Sequence, residues 1–233
     1  MSTRASLRGL LLVLCVLCTS THPVAAQPVE PNPARFASDI QVFREWDAKN
    51  AFPANAVLFV GSSTIRLWPT AQLFRDMPVI NRGFGGSHIS DLNHHVDDVA
   101  TRYRAAVVVF YAGDNDITDG KSPERVLSDY RWFVSRVRAT RSDTQFIFLA
   151  IKPSIARWKL WPTMQRANAL VRDYSAAQPG LHFADVATPM LASDGRTQPM
   201  YYVQDGLHMT PAGYDLWMRV VFPVVNRARA ANR

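Results

Sequence analysis

The run Ala105-Ala106-Val107-Val108-Val109-Phe110-Tyr111-Ala112 constrains the fold of this chain more than any other stretch. Successive strand residues point to opposite faces of a sheet. A strand that is apolar at every position therefore leaves no face for water and belongs in the centre of a parallel sheet covered on both sides. Further strand patterns occur at Val57-Leu58-Phe59-Val60, at Val79-Ile80, from Gln145 to Ile151 and from Leu181 to Val186. Helical patterns separate them, so the alternation predicts an α/β fold with five parallel strands in one domain.

The helical stretches carry start signals and apolar stripes. Phe36, Ile40, Phe43 and Trp46 predict one buried stripe on a helix from Arg35 to Asn50, after a proline-rich linker from Gln27 to Pro33. Ile89 to Tyr103 reads as one helix, on which the adjacent His94 and His95 should point apart, as surface or core residues and not a metal site. Ser122-Pro123-Glu124 is a cap, a first-turn proline and a first-turn acid, followed by a face of Val126, Tyr130, Phe133, Val134 and Val137. Trp161 to Ala177 is helical, and Thr210-Pro211 opens the last helix after a loop of roughly twenty residues, long enough to suggest a role beyond connection.

The first 26 residues stand apart. Arg4 and Arg8 precede an apolar run, Leu10 to Cys18, too short for a bilayer, and Val24-Ala25-Ala26 supplies small residues before Gln27. This is the pattern of a secretory signal peptide, and it predicts export to the periplasm or the medium. Both cysteines, Cys15 and Cys18, would leave with it, so the exported chain would hold neither disulfides nor a thiolate metal site. No later stretch has the length and apolarity of a transmembrane helix. The sequence then divides into a leader (1–26), a linker with its helix (27–55) and the main domain (56–233). The formal charge of +7 is spread over scattered arginines, and no nucleic-acid motif accompanies it.

The strand ends hold the chemistry. Gly61-Ser62-Ser63 follows the first strand, a glycine loop ending Gly85-Gly86-Ser87 follows the second, and Gly113-Asp114-Asn115-Asp116 follows the third. Asp205 and His208 precede the last helix. The glycines fail the dinucleotide fingerprint, since the third would have to stand at His88. Ester hydrolysis by serine needs a nucleophile, a base, an orienting acid and oxyanion donors. Ser63, His208 and Asp205 fit the first three roles. The backbone N–H groups of Ser63 and Gly86 and the Asn115 amide fit the last. Each residue has a plainer reading as a helix cap, a turn or a surface loop; their placement together at one sheet rim favours catalysis.

These blocks resemble the SGNH hydrolase superfamily, the GDSL-type lipases and esterases. Gly61-Ser62-Ser63 is similar to the family's G-D-S, with the nucleophile at Ser63. Asn81 to Ser87 resembles the second block, with the oxyanion glycine at Gly86. Gly113-Asp114-Asn115-Asp116 matches G-x-N-D, with the oxyanion asparagine at Asn115, and Asp205 to His208 matches D-x-x-H. The chain departs from the pattern at Ser62, where the family usually has aspartate; this leaves Ser62 as a rival nucleophile. The wording from Phe59 to Trp68 resembles bacterial members likened to platelet-activating-factor acetylhydrolases. The resemblance implies a flavodoxin-like three-layer α/β/α fold and hydrolysis of esters without metal or cofactor.

The expected substrate is a small-molecule or glycan ester with a short acyl group, acetyl above all. Arg66, Arg157 and Trp158 are candidates for holding a sugar ring or an anionic group; packing for the tryptophan and an ion pair for Arg66 are the alternatives. A lysophospholipase or thioesterase, and a non-catalytic glycan- or lipid-binding protein on the same fold, are the competing functional readings.

Overall fold

A computed structural model describes residues 30–53 and 55–232 of the chain. Five strands, β1 (Val57–Gly61), β2 (Val79–Gly83), β3 (Val107–Tyr111), β4 (Gln145–Leu149) and β5 (Leu181–Ala184), form one sheet. Their order is β2-β1-β3-β4-β5, and every neighbouring pair is parallel. Every residue of β1 and β3 is buried, which is why neither strand alternates in sequence. Helices are α1 (Ala37–Lys49), α2 (Ser63–Arg66), α3 (Thr70–Leu73), α4 (Ile89–His94), α5 (Val96–Val99), α6 (Asp114–Thr118), α7 (Pro123–Arg138), α8 (Trp161–Ala176) and α9 (Pro211–Ala230).

The helices cover both faces of the sheet. Neighbouring residues of β3 show the two layers: the Phe110 ring lies 5.2 Å from Tyr130 and 5.0 Å from Phe133 of α7, and Tyr111 lies 5.1 Å from Trp217 of α9. On the α9 side, Phe59 of β1 packs on Trp68 and Phe74, and Trp68 meets Trp217 at 5.6 Å. This is the expected three-layer α/β/α arrangement.

The strand order places a crevice. From β1 the chain moves to one side, to β2, and then crosses to β3 on the other side of β1. Loops leaving the carboxyl ends of β1 and β3 diverge there, and open α/β sheets bind ligands at such a switch point. The two strands must also approach closely: a Cβ on Gly61 would sit 1.9 Å from the Tyr111 carbonyl oxygen, so only glycine fits.

Several local expectations are corrected. The stretch read as one helix from Ile89 to Tyr103 is α4, α5 and a 3₁₀ turn, Thr101–Tyr103. The break falls at His95, whose ring reaches the Pro33 carbonyl at 3.2 Å, and the His94 and His95 rings meet edge to face at 4.7 Å, so they do not point apart. The α1 stripe is also narrower than its periodicity implied: Phe36 and Ile40 are buried and Phe43 is half-buried, but Trp46 is 59% exposed. Finally, the described part of the proline-rich linker is docked. Glu30 pairs with Lys121 at 2.8 Å and Arg125 at 2.7 Å and accepts a hydrogen bond from Ser90 Oγ. The leader, residues 1–26, lies outside the described residues.

Candidate active site

Ser63 is the first residue of α2, directly after β1. Ser62 precedes it with an extended backbone and anchors the turn through its main chain: its N–H donates to the Tyr111 carbonyl at 3.1 Å and its carbonyl accepts from Ile65 and Arg66. The Ser62 side chain is fully buried and its Oγ finds no partner among the described residues. Ser63 is half-buried and faces the crevice. The two hydroxyls of the pair therefore have different surroundings.

A tight turn brings the imidazole to Ser63. Tyr202 and Met209 form an antiparallel bridge, Val203 N–H donates to the His208 carbonyl at 2.9 Å, and Gly206 N–H donates to the Val203 carbonyl at 2.9 Å. The Tyr202 hydroxyl donates to the Pro153 carbonyl at 2.7 Å, tying this turn to the loop after β4. His208 Nε2 stands 3.0 Å from Ser63 Oγ, and His208 Nδ1 stands 2.6 Å from Asp205 Oδ2. Asp205 Oδ1 accepts the backbone N–H groups of Leu207 at 2.8 Å and His208 at 2.9 Å. The bond from His208, followed by those two N–H groups, pushes the Asp205 carboxyl down to about 2. An ionised carboxylate only accepts, so Nδ1 carries the imidazole proton and Nε2 is left to accept from the serine hydroxyl.

Donors for an anion converge on the same crevice. The N–H groups of Ser63 and Gly86 donate to no acceptor among the described residues. Gly86 has φ +80°, and a Cβ there would meet nothing within 4 Å; glycine is needed for conformation, not space. Asn115, on α6 after β3, donates from Nδ2 to the Ser87 carbonyl at 3.0 Å and accepts at Oδ1 from Arg157 at 2.9 Å. These groups line a cleft of about 430 Å³, with Leu67, Gly85 and Leu207 completing its walls. Gly85 was named in the sequence only as part of the glycine loop, and the two leucines were not singled out. Leu207 could have been, since it lies between Asp205 and His208; Leu67 carries no chemical mark.

The three candidate substrate contacts fare differently. Arg66 lines the cleft with a side chain 58% exposed and only a 4.0 Å approach to Asp39. Arg157 also lines the cleft, but its guanidinium is held by Asp114 at 3.0 Å and by Asn115. Trp158 is corrected: it does not line the cleft but stacks on Trp161 at 6.4 Å and packs against the core. A wider groove of about 560 Å³ lies beyond Arg66, between α1 and α3, but contains no paired hydroxyl and imidazole. Among the described residues no cluster of histidine, cysteine or carboxylate side chains could hold a metal, and no helix is long and apolar enough to cross a membrane.

The chain is 25% identical over 193 residues to the platelet-activating factor acetylhydrolase IB subunit alpha1 of Pongo abelii, covering 80% of this chain and 81% of that one. Its fold is similar to a protein from Streptococcus pneumonia described as a platelet activating factor, with TM-score 0.73 and 20% identity over 81% of this chain and 92% of that one. It is also similar to an acetylxylan esterase from Geobacillus stearothermophilus, with TM-score 0.60 and 13% identity over 74% and 94% of the two chains. The GDSL-like lipase/acylhydrolase family model matches residues 61–216, from the glycine before Ser62-Ser63 to the final helix, and the chain belongs to that family of ester hydrolases.

Proposed function

We propose that the protein is an exported serine esterase that removes short acyl groups, acetyl above all, from a carbohydrate or small molecule. The observation that carries this reading is the continuous relay from Ser63 Oγ through His208 to Asp205, with Ser63 and His208 lining an open cleft. Ser63 Oγ attacks the acyl carbon as its proton passes to His208 Nε2. The carbonyl oxygen becomes an oxyanion facing the N–H groups of Ser63 and Gly86 and the Asn115 amide. As the intermediate collapses, the bond to the alcohol oxygen breaks and Nε2 returns the proton to that oxygen. Water then repeats the sequence on the acyl-enzyme and frees the acid. Asp205 stays ionised and holds the imidazolium.

The cleft wall supports a short acyl group. Among the residues that line it only Leu67 and Leu207 carry sizeable apolar side chains; Ser63, Arg66, Gly85, Gly86, Asn115, Arg157 and His208 make up the rest. A long acyl chain gains about 0.8 kcal/mol per buried methylene only where apolar walls enclose it. The family relatives named as an acetylhydrolase and as an acetylxylan esterase support the same choice. Export rests on the leader pattern from Arg4 to Ala26.

The test is hydrolysis of p-nitrophenyl acetate, butyrate and octanoate by the chain beginning at Gln27. Acetate is cleaved fastest, Ser63→Ala abolishes turnover, and Ser62→Ala folds and retains it. Full activity in Ser63→Ala would overturn the mechanism, and a preference for octanoate would overturn the short-acyl assignment.

A further inference from the structure

Arg157 sits at the cleft, yet its guanidinium is already engaged on the protein side. Nη1 donates to Asp114 Oδ2 at 3.0 Å and Nη2 donates to Asn115 Oδ1 at 2.9 Å. One planar fork thus spans two consecutive residues of α6. The Asn115 amide is held from its other side by the Ser87 carbonyl, 3.0 Å from Nδ2.

These partners decide which way the amide faces. A guanidinium only donates and a carbonyl only accepts. Turned over, Asn115 would point its oxygen at the Ser87 carbonyl and its NH₂ at the Arg157 N–H groups, losing both bonds. In the observed orientation one Nδ2 proton is used on Ser87 and the second is left for the cleft. A flipped amide would instead offer an oxygen to a developing negative charge.

We propose that Arg157 is a positioning residue: it locks the Asn115 amide with its N–H toward the oxyanion, and it is not a site for an anionic part of the substrate. This rests on the esterase reading above. Two further features fit the role. Asp114 and Arg157 have side chains only 7% and 17% exposed, so the pair neutralises itself away from solvent. The loop bearing Arg157 is also anchored to the His208 turn, since Ala156 N–H donates to the Gly206 carbonyl at 3.1 Å and the Tyr202 hydroxyl donates to the Pro153 carbonyl at 2.7 Å. One short loop therefore references both the oxyanion amide and the imidazole. Arg66, which also lines the cleft, has among the described residues only a 4.0 Å approach to Asp39, so its guanidinium is left open to the cleft.

The experiment is a double-mutant cycle on Arg157 and Asn115 with p-nitrophenyl acetate, reading kcat and KM separately. Asn115→Ala lowers kcat by about 10²–10³, the usual effect of removing one oxyanion donor. Arg157→Met lowers kcat about 10-fold with KM within about 2-fold, because the amide loses one of two restraints. Arg157→Lys stays impaired, since a point charge keeps Asp114 company but cannot span both groups. In the Asn115→Ala background, Arg157→Met has no further effect. Three results would overturn the proposal while leaving the esterase reading intact: equal losses from Arg157→Met in both backgrounds, a raised KM with kcat unchanged, or full rescue by lysine. Full activity in Asn115→Ala would remove the oxyanion role of that amide and the proposal with it.

Discussion

At the scale of single residues, neighbouring positions differ through their surroundings more than through their chemistry. Ser62 and Ser63 are the same residue one step apart, yet one is buried against the Tyr111 carbonyl strand and the other faces His208. Nothing in the sequence separates them except the resemblance to a family block; the turn after β1 does. Asp205 yields a prediction in pH. Its folded pKa, about 2, lies below the ordinary value of 3.8, so its pairing stabilises the fold above about pH 4 and that contribution is lost as pH falls toward 2. Asp205→Asn has no such titration. Urea unfolding at pH 5 and pH 2.5 will show the stability gap between wild type and Asp205→Asn closing on acidification. In turnover at neutral pH, Asp205→Asn loses about 10³–10⁴ in kcat, the size of effect seen when a serine–histidine pair loses its orienting carboxylate.

At the scale of elements, burial separates two tryptophans that look alike in sequence. Trp217 of α9 is fully buried among Tyr111, Trp68 and Met190, with its indole N–H 3.3 Å from the Met190 sulfur. Trp46 of α1 is mostly exposed. Trp217→Ala is expected to cost about 3–5 kcal/mol, while Trp46→Ala stays within about 0.5 kcal/mol. Thermal unfolding will separate them, with a drop of about 10 °C for Trp217→Ala and little change for Trp46→Ala. Helix start signals were legible because capping is local: Ser122 accepts from Arg125 N–H and Thr210 from Gly213 N–H. The break at His95 was not legible, because the Pro33 carbonyl that its ring meets is distant in sequence. Trp46 misled for the related reason that periodicity shows which face a helix turns inward, not how far the covered surface extends.

At the scale of the whole molecule, the described residues share one large core and include no cysteine. Both cysteines fall within the first 26 residues, so the chain beginning at Gln27 should unfold at the same temperature with and without dithiothreitol; a lower midpoint in reductant would contradict this. The sheet order also settles where the crevice lies, since it opens between β1 and β3. The sequence by itself determined the alternation of strands and helices, the burial of the central strands and the residues at each strand end. Those are consequences of local pattern, of side-chain polarity and of backbone conformations that only glycine or proline accepts. Only the tertiary structure decided that residues as far apart as Ser63 and His208 stand 3.0 Å from each other, that Trp158 turns to the core and that Arg157 spends its donors on Asp114 and Asn115. The reason is that hydrogen-bond partners are selected by strand order and loop anchoring, which join segments that carry no mark of one another along the chain.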